Sequence, residues 1–402
     1  MSMFKNHKIG VNQLLSFIPE ALLAHLSTTT KVDYYSKVLQ GQKIFYLLLY
    51  GILENEKLSQ RSLEDTFNDP VFKTLFELNP SESVRHSSIS ERLSKIEVGY
   101  FQQIYEHIYE QFSNLYVSSQ QSYRVMSVDS SMVSEAAGKL LEGLDNKSGK
   151  KSVKYSFVFD GLLPCSVELF TKNTYQSEDI ALPEVIKAHI KQETHHQNIY
   201  VIDRGLQSTR TLQEFSRESV CFVCRAKENR KYVELESISA EKQDMGENFL
   251  LKDAKVQLYT GIPIRNKRGN IHYQEELVTT PFRLIIFETK INKKTIWLIT
   301  NNFELSPLQI TQIYRQRWNI EVFFRFIKQE LNFSHLIALN KNGIEVMLYM
   351  TLIVAMLLLI YKEVNHIGYK TAKRRMAMEI RNLAIALIVM QCGGDPNKLF
   401  KT

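Results

Sequence analysis

Apolar positions recur with different periods along the 402-residue chain, and the changes of period divide it. Up to about residue 118 the spacing is helical. Val38–Leu53 is too apolar for an exposed helix and predicts a core helix. Phe101, Ile104, Tyr105, Ile108, Tyr109 and Phe112 fall on one face of a long amphipathic helix over Gly99–Leu115, ending before Ser118. Ser62 stands three residues before Asp65, and Ser88 three before Glu91. Both pairs have the spacing of a helix start closed by a capping box.

The pattern then shortens to strands. Arg124–Val128 predicts a strand closed by Asp129. Val153–Phe159 and Pro164–Thr171 predict a hairpin about the Asp160-Gly161 turn. A helix over Leu182–Thr194, with Pro183 near its first turn, leads to a strand at Asn198–Ile202 closed by Asp203-Arg204-Gly205. A short helix at Thr209–Ser216 and a strand at Val220–Arg225 follow. Three strands, helix, strand, helix, strand is the order of a mixed α/β sheet of about five strands, the first three antiparallel. From about 226 to 303 strand and turn signals dominate, at Val256–Tyr259, Phe282–Glu288 and Lys294–Ile299, with a loop at Lys267–Asn270. That stretch reads as a β-rich insertion. Pro307–Leu331 is a single helix, with Ser306 as N-cap and Pro307 at its first position.

Beyond about 340 the chain is helical again. Val346–Tyr361 is nearly unbroken apolar sequence, yet shorter than the about 20 residues that cross a bilayer, so a buried core helix is expected and no membrane partner. A helix over Lys373–Met390 starts basic and continues apolar. The domains expected are a helical region over 1–118, an α/β domain over 119–340 and a helical region over 341–402.

Composition narrows the picture only slightly. Fifty Lys and Arg against 43 Asp and Glu give a net charge of +7, which permits a nucleic-acid partner without requiring one. Four cysteines exclude a disulfide scaffold and suit a reducing compartment. Met1–Gly10 is polar and basic, and Val11–Leu26 is interrupted by polar residues, so no secretory signal is read there and a cytoplasmic location is expected. No glycine-rich phosphate loop occurs, and no ATP requirement is expected. Cys221 and Cys224 have a metal-pair gap but no second pair nearby, and His195 and His196 read as surface loop residues, so zinc is not expected.

The chemistry concentrates in Tyr314–Lys328. At roughly 100° per residue, Tyr314, Arg317, Glu321, Arg325 and Lys328 share one face, while Ile320, Phe323, Phe326 and Ile327 lie opposite. A solvated face with helix ion pairs would look similar. A lone carboxylate among cations also suits a site that grips phosphate and holds a metal ion. Asp129 and Asp203 each stand where an apolar strand stops. Asp commonly ends strands, but acids at neighbouring strand ends can meet although distant in sequence. With Glu321 they supply three carboxylates. Two Mg²⁺ ions clamped by such a set cleave phosphodiesters, with Asp129 as bridge and Asp203 and Glu321 as the partners.

Asp129, Asp203 and Glu321 in that order, with Tyr314, Arg317, Glu321 and Lys328 at gaps of two, three and six residues, resemble the DDE insertion-sequence transposases that carry the Tyr-Arg-Glu-Lys signature. Asp203-Arg204-Gly205 is similar to the segment around that family's second aspartate. The resemblance covers about 120 to 340 well. It implies a ribonuclease H-like catalytic core with a mostly β insertion before the glutamate helix. It implies Mg²⁺, two ions per site with Mn²⁺ able to substitute, cutting one strand at the element's end. The freed 3′-OH then attacks the opposite strand or target DNA. It also implies double-stranded DNA as partner, both as terminal inverted repeats and as target, a homodimer in the DNA complex, and a place at the nucleoid.

By that resemblance Tyr314, Arg317, Arg325 and Lys328 hold DNA phosphates. Lys147, Lys150, Lys151 and Lys154 form either a solvated hairpin or a backbone patch. Lys370, Lys373, Arg374 and Arg375 open a C-terminal helix where cations oppose the dipole, which favours an anionic partner. Trp297 either packs in its strand or stacks a flipped base, and Trp318 lies near the cationic face. The Ser-led helices of the first region suit DNA binding or a plain helical cap. Two alternatives remain: a nuclease on the same core without strand transfer, and a non-catalytic DNA-binding derivative. A membrane-associated helical protein would rest on Val346–Tyr361 alone.

Overall fold

The computed structural model describes residues 8–113, 123–134, 140–145, 149–192, 197–239, 241–265 and 271–398. Lys147, His195, His196, Ser118 and the Lys267–Asn270 loop lie outside them. The chain divides into two units. One gathers Met1–Val117, Met132–Val153 and Phe323–Thr402, and the other Ser118–Ser131 and Lys154–Val322. The two helical ends of the chain therefore belong to one unit rather than two regions, because each supplies apolar faces that the other buries.

In that helical unit Lys341–Asn365 is the central helix, buried from Leu352 to Tyr361. By length and composition it could cross a membrane, but 83% of its most apolar window is buried within the fold, as for a core helix. It packs against Val98–Ser113, whose Phe101, Ile104, Tyr105, Ile108 and Phe112 are buried as the spacing predicts. Gly41–Glu54 and Tyr369–Gln391 also contact it. The first described residues are tied to this core. Asn365 Oδ1 accepts the N–H groups of Lys8 and Ile9 at 2.7 and 3.2 Å, and Glu379 accepts that of Val11 at 2.7 Å.

Two helix starts differ from the sequence reading. The cap of Gln60–Asn68 is Ser59, whose hydroxyl accepts the Ser62 N–H, so Ser62 is the third helical residue rather than the cap. His86–Lys95 begins after Arg85, with no side-chain cap, and Ser88 lies inside it. There Glu91 bonds Lys95 one turn on instead of closing a box.

The second unit is built on strands, and β1 Tyr123–Ser134 and β3 Lys151–Phe159 each have residues in both units. The remaining strands are β2 Leu144–Asp145, β4 Pro164–Phe170, β5 Gln197–Ile202, β6 Cys221–Ala226, β7 Tyr232–Ser239, β8 Gln243–Asp244, β9 Asn248–Arg265, β10 Ile271–Leu277, β11 Phe282–Thr289 and β12 Thr295–Thr300. Among the described residues they form one sheet in the order β10-β9-β11-β12-β6-β5-β1-β3-β2, with β4 on β3 and β7 and β8 on β9. β1, β5 and β6 are parallel, and β3 and β4 antiparallel.

The sheet does not stop at five strands. β12 pairs antiparallel with β6, so the insertion extends the same sheet. Helix Pro307–Gln316, capped by Ser306 with Pro307 in its first turn, covers it. Ile310, Ile313 and Tyr314 pack with Val125, Val201, Val223, Ile285 and Leu298. The bidentate pair of buried Arg283 and Asp253 ties β11 to β9, and Arg283 Nη1 also donates to Leu305 O at 2.6 Å, fixing the chain just before that cap.

Candidate active site

The parallel ladder of β1 with β5 ends at Val128 opposite Ile202. The next residues on the two strands are Asp129 and Asp203, so the register carries both to the carboxyl ends of adjacent parallel strands, where open α/β sheets form their sites. β1 itself runs on to Ser134, so Asp129 ends the ladder with β5 and not the strand. Its Oδ1 accepts the Ser130 N–H at 2.8 Å. Burial pushes the Asp129 carboxyl up to about 6. The Ser130 N–H and Arg317 oppose the rise, and the charges of Glu178 and Asp203 add to it.

The predicted single helix is two. Pro307–Gln316 ends, Arg317 forms a turn, and Trp318–Glu330 begins. The Arg317 N–H bonds back three residues to Tyr314 O, and Ile320 N–H to Arg317 O, which tightens the chain locally. The break leaves the predicted face largely intact around the acids. Tyr314 is buried and donates its hydroxyl to Asp203 Oδ1 at 3.2 Å. Burial, then Asp203, push the Tyr314 phenol up to about 12. Arg317 Nη2 donates to Glu321 Oε1 at 2.5 Å. Burial works against the Arg317 charge, but Glu321, Asp203 and Tyr314 outweigh it and raise its pKa. Arg317 is 9% exposed, and its Nε has no hydrogen-bond partner among the described residues.

The three expected acids thus share one cation. Arg317 bonds Glu321 and acts electrostatically on both aspartates. Among the described residues no three His, Cys, Asp or Glu side chains lie close enough to hold a metal ion. The donor chemistry nevertheless suits Mg²⁺, since all three acids offer hard carboxylate oxygens. In this structure one Glu321 oxygen, Oε1, is engaged by Arg317.

Other expected contacts vary in access. Lys154 is fully buried, and its Nζ donates to Gln176 O at 2.6 Å and Glu178 Oε1 at 3.1 Å. It cannot reach a DNA phosphate as expected, because β3 is covered on both faces. Lys151 Nζ donates to Leu141 O, and Lys373 Nζ, half-buried, to Glu330 O. Arg374 and Arg325 are exposed, and Arg375 and Lys328 are half-buried. Trp318 is 52% exposed. Trp297 is half-buried on β12, edge-on to the Tyr232 ring.

Sequence reasoning missed Glu178 and Asp179. They open helix Glu178–Gln192, in which Pro183 lies beyond the first turn. Acids at a helix start read as dipole partners, so their type gave no signal. In the fold Glu178 Oε2 accepts the Ser130 hydroxyl at 2.7 Å, and Ser130 Oγ lies 2.8 Å from Ser156 Oγ. Asp179 Oδ1 accepts the Gln207 and Ser208 N–H groups, both at 2.6 Å.

The family model described as "Transposase DDE domain" matches residues 120–357. The "Putative transposase for insertion sequence element IS4SA" of Synechocystis sp. (strain ATCC 27184 / PCC 6803 / Kazusa) is 26% identical over 356 residues, covering 86% of this chain and 88% of that protein. The "Probable transposase for insertion sequence element IS5377" of Geobacillus stearothermophilus is 29% identical over 168 residues, 42% of this chain and 40% of that one. Among solved structures, a piggyBac transposase synaptic complex with hairpin DNA aligns with a TM-score of 0.46 at 12% identity, over 96% of this chain and 82% of that one. That likeness is too slight to carry an argument.

Proposed function

Since the chain belongs to the DDE-domain transposases, we propose that it cuts DNA at the ends of an insertion sequence and joins the freed 3′-OH to target DNA by in-line phosphoryl transfer. The observation that carries this reading is the register of β1 and β5, which sets Asp129 beside Asp203, with Tyr314 bonded to Asp203 and the charge of Arg317, the partner of Glu321, acting on both aspartates. The strand order β4-β3-β1-β5-β6, with three parallel strands, supports a ribonuclease H-like core.

Asp129, Asp203 and Glu321 would hold divalent ions, Asp129 between the other two. Bound there, Mg²⁺ or Mn²⁺ supplies an activated water and charge stabilisation at the leaving oxygen. The chain's own residues orient the DNA. Arg317 carries a buried N–H without an acceptor among the described residues, which a phosphate oxygen would satisfy. As a phosphate takes the guanidinium, Glu321 is released toward the aspartates. Tyr314 holds Asp203 in place. Arg325 and Arg374, both exposed, and Lys328 carry backbone contacts that give affinity without sequence choice. Joining two element ends calls for two copies of the chain on DNA. The intact acid set favours this reading over a non-catalytic DNA-binding derivative.

The test uses duplexes carrying the ends of the element that bears the gene. With Mg²⁺, Asp129→Ala, Asp203→Ala and Glu321→Ala are each expected to lower cleavage roughly a thousandfold or more while most DNA binding remains. Cutting that survives in any of them, or binding lost together with cutting, refutes the assignment. Strand transfer by wild type separates a transposase from a nuclease that only hydrolyses.

A further inference from the structure

We propose that Glu178 and Asp179 are positioning residues that set Asp129 and Asp203, the first residues past the β1–β5 ladder, relative to one another. The inference rests on the proposed function and deepens it. Each of the two neighbouring acids reaches a different strand end.

Glu178 acts on the Asp129 side. Its Oε2 accepts the Ser130 hydroxyl at 2.7 Å, and the Ser130 N–H in turn donates to Asp129 Oδ1 at 2.8 Å. The other oxygen, Oε1, takes Lys154 Nζ at 3.1 Å, and that lysine is fully buried and anchored also to Gln176 O. A buried ammonium facing Glu178 fixes the carboxylate and balances its charge. Glu178 therefore orients Asp129 through Ser130 without a hydrogen bond to Asp129 itself.

Asp179 acts on the Asp203 side. One oxygen receives the consecutive N–H groups of Gln207 and Ser208, both at 2.6 Å, and so pins the loop that leaves β5 just after Asp203. Arg230 Nη1 holds the same loop from its other side by the Gln207 carbonyl, at 2.7 Å. Gly205 lets the two halves approach. A Cβ at that position would meet Glu178 Cγ at 3.0 Å and Glu178 Cβ at 3.3 Å. One rigid helix start thus grips the residue after Asp129 and the loop after Asp203. Two acids that must share ions need a fixed separation, and residues that orient metal-binding side chains commonly change affinity or turnover by about ten- to a hundredfold when removed.

The experiment compares Ser130→Ala, Asp179→Ala and Asp179→Asn with wild type and with Asp129→Ala. Four quantities are read: single-turnover cleavage of an end-bearing duplex, DNA affinity, Mn²⁺ binding followed by the electron-spin resonance of free Mn²⁺, and the melting temperature. Ser130→Ala and Asp179→Ala are expected to weaken Mn²⁺ binding about tenfold and slow cleavage about ten- to a hundredfold, with DNA affinity held within about twofold. Asp179→Asn keeps one oxygen for the two N–H groups and should recover most of both losses. Wild-type Mn²⁺ affinity and turnover in Ser130→Ala and Asp179→Ala, beside an inactive Asp129→Ala, overturn the clamp alone. An active Asp129→Ala overturns the site reading beneath it. Should Asp179→Ala lose its cooperative melt, Ser130→Ala, which deletes one hydroxyl, decides.

Discussion

The acids of the candidate site are held in two different ways. Asp129 and Asp203 follow the last paired residues of two adjacent parallel strands, fixed by ladder register and by hydrogen bonds from Ser130 and Tyr314. Glu321 sits one turn past a break in its helix, and its Oε1 accepts from the guanidinium of Arg317. On the proposed function, the aspartate side is preorganised, and the glutamate side is restrained by a counter-charge that a phosphate would draw off. Two fixed ligands and one released by DNA would couple metal capture to substrate binding, so that hydrolysis awaits bound DNA.

The sharpest way to break that contrast is Arg317→Ala. Cleavage should fall about a hundredfold as the phosphate contact is lost. Mn²⁺ binding by the DNA-free protein should tighten severalfold, about as expected when one cation beside carboxylates is removed. Unchanged Mn²⁺ affinity would mean that Arg317 does not restrain Glu321.

Asp129→Asn probes the fixed side. The Asp129 carboxyl titrates higher in the fold, at about 6, than the ordinary aspartate value of 3.8. The native state therefore binds more protons than the unfolded chain between those values, and wild type loses stability as pH rises through that window. The melting-temperature gain of Asp129→Asn without metal should be small near pH 4 and complete above pH 6. A gain independent of pH would show that the fold does not raise the Asp129 pKa.

Arg325→Ala should have the smallest effect. Exposed and beyond the acids, it should weaken DNA binding a fewfold across all sequences and lower the salt slope by about one, leaving stability unchanged. A sequence-selective loss in a salt titration would assign Arg325 to base reading instead.

Much of this was legible because it depends on local spacing. The apolar run Val346–Tyr361 is a core helix, and Ser306 and Pro307 start theirs as expected. What the sequence could not supply was the second face. β7 (YVELESIS) and β10 (IHYQEEL) lack apolar runs, since both are largely exposed and paired along one long partner, β9. Lys154 looked solvated because a lysine usually is, and the cover over both faces of β3 is a long-range fact. Glu178 and Asp179 carry no signature of their own. Their partners are 48 and 28 residues away, and only the folded sheet brings them to the acids.

The bonds from Asn365 to Lys8 and Ile9 span more than 350 positions. At a translation rate of roughly 5–20 residues per second, Lys8 and Ile9 wait about 20–70 s before the side chain that secures them has been made. Until then Lys8 and Ile9 lack the side chain that fastens them, so this closure of the helical unit follows synthesis of Asn365.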